Sequence, residues 1–120
     1  MTILDKAKQV TTGDRQRDYD HPLWNFIRIA LLWNSHLMST GKLNKLITPE
    51  DVAWMMVNVK QARQIKTSKE DNLVDGAGYL ACIEQMNILM HELGYIDGIK
   101  SFEGKNIAVY QNFMEKHYGD

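Results

Sequence analysis

The sequence predicts an all-α protein, a compact bundle of four to five helices, because three features of its 120 residues agree. Apolar residues recur at steps of three and four along several segments, as they do on one face of a helix. Thr48 followed by Pro49 is typical of a helix start. No stretch of sequence shows the sustained apolar-polar alternation of a half-buried strand. Packed helices are therefore the predicted architecture.

The first two predicted helices flank a polar loop. One runs over about residues 3–10 behind Thr2, whose hydroxyl is a suitable cap. The other runs over about residues 22–38, begins at a proline, and carries apolar residues at helical steps. The charged residues of 11–21 lie between them, and we interpret this stretch as an ordered loop.

The third predicted helix has the clearest start in the sequence. Thr48 offers a capping hydroxyl, Pro49 suits the first turn, and Glu50 and Asp51 complement the positive end of the helix dipole. The helix is predicted to end at about residues 67–68. Its predicted buried stripe is Val52, Met55, Met56, Val59 and Ala62.

The fourth predicted helix runs from Lys69 or Glu70 to about Leu93, with Gly94 as its cap. It is apolar around much of its circumference, which is typical of a helix that is central or buried in a subunit interface, so we expect a homo-oligomer. A last amphipathic helix is predicted over residues 105–117. We accordingly divide the chain into a bundle domain, 1–94, and a C-terminal extension, 95–120.

Composition restricts the functional classes. The net charge of -1 argues against general nucleic-acid binding, which usually needs a strongly basic face. No apolar run approaches the ~18 residues of a membrane span. The single cysteine, Cys82, excludes an internal disulfide, suits a reducing cytoplasm, and is expected to be buried. The tryptophans Trp24, Trp33 and Trp54 lie on helical stripes and are assigned to the core.

Polar residues are expected to converge at one end of the bundle. Helices joined by short connections tend to be antiparallel, so the start of the second helix, the end of the third and the start of the fourth should be neighbours. Helix starts and cationic side chains favour a phosphate, and aromatic rings stack on a base. The predicted ligand-binding residues are Asp14, Arg15, Tyr19, Asn25, Arg28, Lys60, Arg63, Asn72 and Tyr79.

Asp71 and Asp75 lie one helical turn apart on the fourth helix. They either accept hydrogen bonds from ribose hydroxyls, share a Mg²⁺ ion, or form interhelical ion pairs with Lys60 and Arg63. No cofactor is required by the sequence. The nearby glycines, 76 and 78, indicate that something approaches the helix backbone, and close helix packing is one explanation.

The ordered motifs Gly13-Asp14-Arg15, Asp18-Tyr19-x-x-Pro22, Thr48-Pro49-Glu50-Asp51-Val52-Ala53 and Asp71-Asn72-x-Val74-Asp75-x-Ala77-Gly78-Tyr79 resemble a small domain of uncharacterised function found in bacteriophages and prophages. The resemblance covers about residues 3–79. More distantly, the helical layout is similar to the MazG-like all-α nucleotide pyrophosphohydrolases. Those enzymes hold Mg²⁺ with acidic pairs on two helices, whereas the second helix here has no such pair.

These observations give a first functional prediction and two alternatives. The first is a helical protein that binds, and by the phage resemblance sequesters, a nucleotide or a nucleotide-derived phosphorylated small molecule. The second is a Mg²⁺-dependent nucleotide pyrophosphohydrolase using Asp71 and Asp75. The third is a structural or protein-interaction bundle, in which the apolar fourth helix forms an oligomer.

Overall fold

The computed structural model describes residues 1–12 and 20–118, and within them it contains five α-helices and no strand. The all-α prediction is confirmed. None of the described helices combines the length and apolar character needed to cross a membrane. The helices are α1 (Ile3–Thr12), α2 (Pro22–Ser39), α3 (Pro49–Lys66), α4 (Glu70–Glu92) and α5 (Ile107–His117), and a short 3-10 helix (Gly98–Phe102) lies between α4 and α5.

Local side-chain caps explain where most of these helices begin. At α3 the Thr48 hydroxyl accepts from the Asp51 N–H at 3.1 Å, and the Asp51 carboxylate accepts from the Thr48 N–H at 3.0 Å. Thr2 and Asp5 make the same reciprocal pair at α1. Asn106 caps α5. Such caps satisfy N–H groups that have no partner inside the helix.

One core joins the helices on both sides of residue 94. Leu23 and Ile27 of α2 are fully buried, as is Val52 of α3. The segment after α4 contributes four large side chains to the same cluster, namely Ile99, Phe102, Tyr110 and Phe113. The rings of Phe102 and Tyr110 stack with centroids 4.9 Å apart. The division into 1–94 and 95–120 therefore remains a prediction about independent folding, since the two parts share buried surface.

The predicted buried stripe of α3 is wrong on one side. Val52 is fully buried, but Met55 and Val59 are 38% and 39% exposed. Trp54, which the sequence assigns to the core, is 49% exposed, whereas Trp24 is buried as predicted. Ala62, another member of the predicted stripe, is also exposed. The cause is the orientation of α3, which buries the side with Val52 and Ala53, turns Lys60 toward α4 and leaves the opposite side in solvent.

The two helical glycines of α4 have different surroundings. A Cβ on Gly78 would lie 3.3 Å from the Thr11 methyl group, so α1 packs closely against α4 at this point. At Gly76 the described part of the chain places no atom within 4 Å of such a Cβ. Helix packing thus explains Gly78 and leaves Gly76 open. Cys82, one turn after Gly78, is buried as predicted.

The cap at the start of α2 should make the stability of the protein depend on pH. His21 Nδ1 accepts from the Leu23 N–H at 3.1 Å, and burial lowers the pKa of His21 although Glu92 opposes the shift. A protonated imidazole has no acceptor, so this cap requires neutral histidine. The contribution of this cap to the free energy of unfolding is therefore fully present above the ordinary histidine pKa of about 6.5. It is lost as the pH falls through the lower pKa that His21 has in the folded protein.

Denaturant unfolding at pH 7.5 and pH 5.5 tests this dependence in the wild type and in His21→Asn. Asparagine keeps a capping oxygen and does not titrate. The wild type is expected to lose about 1 kcal/mol more than the variant over this interval, the typical worth of a cap. Equal losses in the two proteins would show that the cap does not depend on the charge of His21.

Candidate functional site at the α3–α4 turn

The turn between α3 and α4 brings together the predicted residues of these two helices. They surround a surface hollow of about 450 Å³. Helices α3 and α4 are antiparallel here, as the short connection predicts. The residues that line the hollow are Lys60, Arg63, Lys66, Thr67, Lys69, Asp71, Asn72 and Asp75.

Gln64 fixes the shape of the turn. Its Oε1 accepts from the Lys69 N–H and from Asn72 Nδ2, each at 3.0 Å. The Asn72 amide also donates to the Thr67 carbonyl oxygen at 3.3 Å. Asn72 thus braces the turn through its amide nitrogen. Sequence reasoning missed Gln64. The one sequence feature that could have indicated its role is an amide side chain in the last turn of α3.

Lys60 and Asp75 form an ion pair between the two helices. Lys60 Nζ lies 3.0 Å from Asp75 Oδ2, and the lysine side chain is only 14% exposed. The ion-pair alternative is confirmed for these two residues. Within the described ranges, no group of three or more His, Cys, Asp or Glu side chains is arranged to hold a metal ion. Mg²⁺ binding by Asp71 and Asp75 therefore stays a prediction.

Three cations and one helix start remain available at the rim. Arg63, Lys66 and Lys69 are exposed and form no ion pair with any described residue. Lys69, the N-cap of α4, makes no side-chain cap, in contrast to Thr2, Thr48 and the other caps. Within the described ranges, the N–H groups of Glu70 and Asp71 at the start of α4 therefore have no side-chain acceptor, while the Asn72 N–H donates to the Lys69 carbonyl oxygen. Free N–H groups and positive charge together favour an anion.

The other described members of the predicted set lie apart from this rim. Tyr79 is half-buried, with its ring centroid 6.3 Å from that of Phe26. It lines a small neighbouring hollow, and Asp75 lines both hollows. Asn25 is half-buried and makes no side-chain hydrogen bond within the described ranges. Three predicted residues fall outside the described residues, namely Asp14, Arg15 and Tyr19.

Arg28 belongs to a different cluster. Its Nη2 lies 3.3 Å from Asp20 Oδ2, and its guanidinium lies over the Tyr118 ring, 5.5 Å from the centroid. The Tyr118 hydroxyl donates to the same carboxylate at 2.8 Å. Asp20 has a positive φ of 70°, which is uncommon for a residue other than glycine. These contacts fix the entry to α2 against the end of the chain's last helix.

The start of α2 consequently lies near the end of α4, and the expectation that it meets the start of α4 is wrong. The Trp24 ring contacts Phe113, which in turn contacts Tyr95 just beyond α4. The physical reason is the connection over residues 40–48. It folds back so that Ile47 bonds to Asn34, and α2 does not simply pair antiparallel with α3.

A larger hollow of about 1120 Å³ lies between the 40–48 connection and the start of α5, and sequence reasoning missed it. Lys45 and Lys105 line it, but so do Asp51 and Glu103. The helix starts at its border are capped by Thr48 and Asn106. Because its charges oppose each other and its helix starts are capped, this hollow is less suited to binding an anion than the α3–α4 turn is.

Comparison with known proteins identifies the family. The model of "Domain of unknown function (DUF6378)" matches residues 2–87. The chain belongs to this family. The match includes the α3–α4 turn and ends within α4, before the 3-10 helix and α5.

Two relatives of this chain are phage proteins. The "Gene 55 protein" of Mycobacterium phage L5 is 38% identical over 89 residues, which are 73% of this chain and 54% of the relative. The "Gene 55 protein" of Mycobacterium phage D29 is 38% identical over 86 residues, 71% of this chain and 53% of the relative. The chain spans about half the length of these curated relatives. No solved structure matches it. The predicted resemblance to a small phage domain is confirmed, and the MazG likeness stays a prediction.

Proposed function

We propose that this DUF6378 chain binds a nucleotide or a nucleotide-derived phosphorylated small molecule at the α3–α4 turn. The observation that supports it best is the uncapped start of α4 beside Arg63, Lys66 and Lys69. A phosphate at this rim accepts from backbone N–H groups and from charged side chains at once. Charge-assisted hydrogen bonds of this kind are stronger than neutral ones.

The neighbouring groups suit the rest of a nucleotide. The Asp71 carboxylate is exposed on the hollow and offers acceptors to ribose hydroxyls. Asp75 also lines the small hollow beside Tyr79, whose volume of about 10 Å³ is no more than one water molecule needs. In this arrangement the phosphates lie at the α4 start, and stacking of the base on Tyr79 stays a prediction. The Lys60–Asp75 pair holds the two helices in register beneath the ligand.

Sequestration of such a ligand in the cytoplasm of a bacterial host is the biological role that we propose. It draws on the phage origin of the related Gene 55 proteins. Capture without turnover needs a rim of donors but no cluster of metal ligands, and the turn supplies the donors.

Isothermal titration with ribo- and deoxyribonucleoside mono-, di- and triphosphates, with inorganic phosphate as a probe of the rim, tests the proposal. Lys66→Ala and Arg63→Ala are each expected to weaken binding about 10-fold, since a hydrogen bond to a charged group contributes about 1.5–3 kcal/mol. Lys42→Ala is the matched control, because Lys42 is exposed and does not line the hollow. Equal weakening by all three changes, or no binding of any nucleotide, would contradict the proposal.

The same titrations with Mg²⁺ and chromatography of the products separate binding from cleavage. Binding without products supports sequestration. In a thermal melt such binding should raise the stability of the protein, because a ligand at 100 times its dissociation constant adds about 2.7 kcal/mol to the free energy of unfolding. Metal-dependent release of pyrophosphate or phosphate that disappears in Asp75→Asn would replace it by the pyrophosphohydrolase alternative.

A further inference from the structure

Helices α3 and α4 share an outer face with large exposed apolar side chains. On α3, Trp54 is 49% and Ile65 is 82% exposed. On α4, Leu73 is 46% and Leu80 is 41% exposed. Together they expose on the order of 500 Å² of apolar surface, which is near the upper limit of what a monomer leaves in one patch.

The four side chains lie on the same side of the helix pair. The Lys60–Asp75 ion pair lies on the seam between the antiparallel helices. One flank of the pair is covered, since Val52 of α3 and Val74 of α4 are buried. At about 100° per residue, Trp54 and Ile65 project from the opposite flank of α3, and Leu73 and Leu80 from the opposite flank of α4. In an antiparallel pair these two flanks lie on the same exposed side, with the α3 and α4 side chains diverging from the seam.

The α4 part of this face has a symmetric spacing. Its residues follow one another at steps of four, three, one, three and four, with a cation at one end and an anion at the other. A two-fold axis between Gly76 and Ala77 places Leu73 against the partner's Leu80, and Lys69 against the partner's Glu84. The residues in order are Lys69, Leu73, Gly76, Ala77, Leu80 and Glu84.

We propose that two copies of this chain pack through this outer face, with their α4 helices antiparallel about that axis. A second copy fits because the stripe is complementary to itself in shape and charge, as a two-fold interface requires. Lys69 and Glu84 are both exposed and form no ion pair within the described ranges. Gly76, which the packing inside the described chain leaves open, allows the two backbones to approach closely at the axis.

The composition of the face agrees with this occupant. A stable interface buries roughly 800 Å² per partner, with an apolar centre and a polar rim. The apolar side chains supply the centre, and the charged ends of the stripe, together with the polar Gln61 of α3, supply the rim. Pairing removes Trp54 from solvent, and aromatic side chains are frequent anchors of interfaces.

Sedimentation velocity from 1 to 100 μM, a range chosen on the order of typical micromolar affinities, tests the pairing. The wild type is expected to sediment as a dimer, and Leu80→Glu and Leu73→Glu are expected to raise the dissociation constant at least about 10-fold. Leu32→Glu is the matched control, because Leu32 is 70% exposed on α2 and lies outside the face. Far-UV circular dichroism checks that each variant keeps its helices.

A charge exchange tests the register. Glu84→Lys alone should weaken the dimer, and adding Lys69→Glu should restore it. Ala77→Cys should give a disulfide-linked dimer on mild oxidation, whereas Leu32→Cys should not.

A monomeric wild type at every concentration would overturn the proposal, as would dimers that withstand both leucine changes. A double charge variant as weak as the single one would overturn the antiparallel register. Because these readouts need no ligand, their failure is distinct from failure of nucleotide binding.

Discussion

A chain truncated after Gly94 is expected to lose cooperative unfolding. The truncation removes Phe102, Tyr110 and Phe113, which are buried in the core. Removing one buried aromatic side chain costs about 3–5 kcal/mol, and a whole domain of this size is stable by only about 5–15 kcal/mol. Trp24 of α2, whose ring contacts Phe113, would at the same time become exposed.

The connection after α4 strengthens this expectation. Asn87 Oδ1 on α4 accepts from the Ile99 N–H at 3.0 Å, so the 3-10 helix is hydrogen-bonded to α4. Gly98 has a φ of 58°, and a Cβ at this position would overlap the Asn87 side-chain oxygen. A side chain at residue 98 would therefore have to displace Asn87, which bonds to the Ile99 N–H, and the positive φ also favours glycine.

Thermal melts followed by circular dichroism compare residues 1–94 with the full chain. The truncated protein should show a broad transition or none, and Phe102→Ala in the full chain should give an intermediate loss of about 3–5 kcal/mol. A sharp transition near the full chain's midpoint would instead establish residues 1–94 as an independent domain, as the sequence predicts. The family match, which ends at residue 87, makes this outcome informative.

The helices were predictable because their signals are local. The Thr48–Asp51 capping box and the proline at the start of α2 lie within a few residues of the ends that they define. The α3–α4 turn was predictable for the same reason, since helices joined by a connection as short as residues 67–69 tend to pack antiparallel. The Lys60–Asp75 pair follows from that turn.

The faces of the helices were not predictable to the same degree. A helix that is apolar around most of its circumference, such as α4, contains little information about which side is covered. Trp54 shows the consequence, because helical spacing alone cannot tell a core position from an exposed interface position. Arg28 shows another limit, since its contact with Tyr118 joins residues far apart in sequence and has no local signal.

Replacing Asn34 by alanine is expected to destabilise the fold by on the order of 3 kcal/mol, because the Ile47 N–H loses its partner and the Ile47 carbonyl keeps only its longer bond from Tyr110. Asn34 is fully buried. Its Nδ2 donates to the Ile47 carbonyl oxygen at 2.9 Å, and its Oδ1 accepts from the Ile47 N–H at 2.7 Å. The Tyr110 hydroxyl donates to the same carbonyl at 3.4 Å, so α2, the 40–48 connection and α5 meet at Ile47.

Urea unfolding of Asn34→Ala measures this cost, and Asn44→Ala is the matched control. Asn44 lies in the same connection and is exposed, so its replacement should change stability by less than about 0.5 kcal/mol. Asn34→Asp keeps the acceptor for the Ile47 N–H but loses the donor to its carbonyl and buries a charge, so it should destabilise at least as much as alanine. A loss below about 1 kcal/mol in Asn34→Ala would mean that water replaces the amide. The connection would then be held by its apolar contacts, and the folding back that places the start of α2 beside the end of α4 would not depend on Asn34.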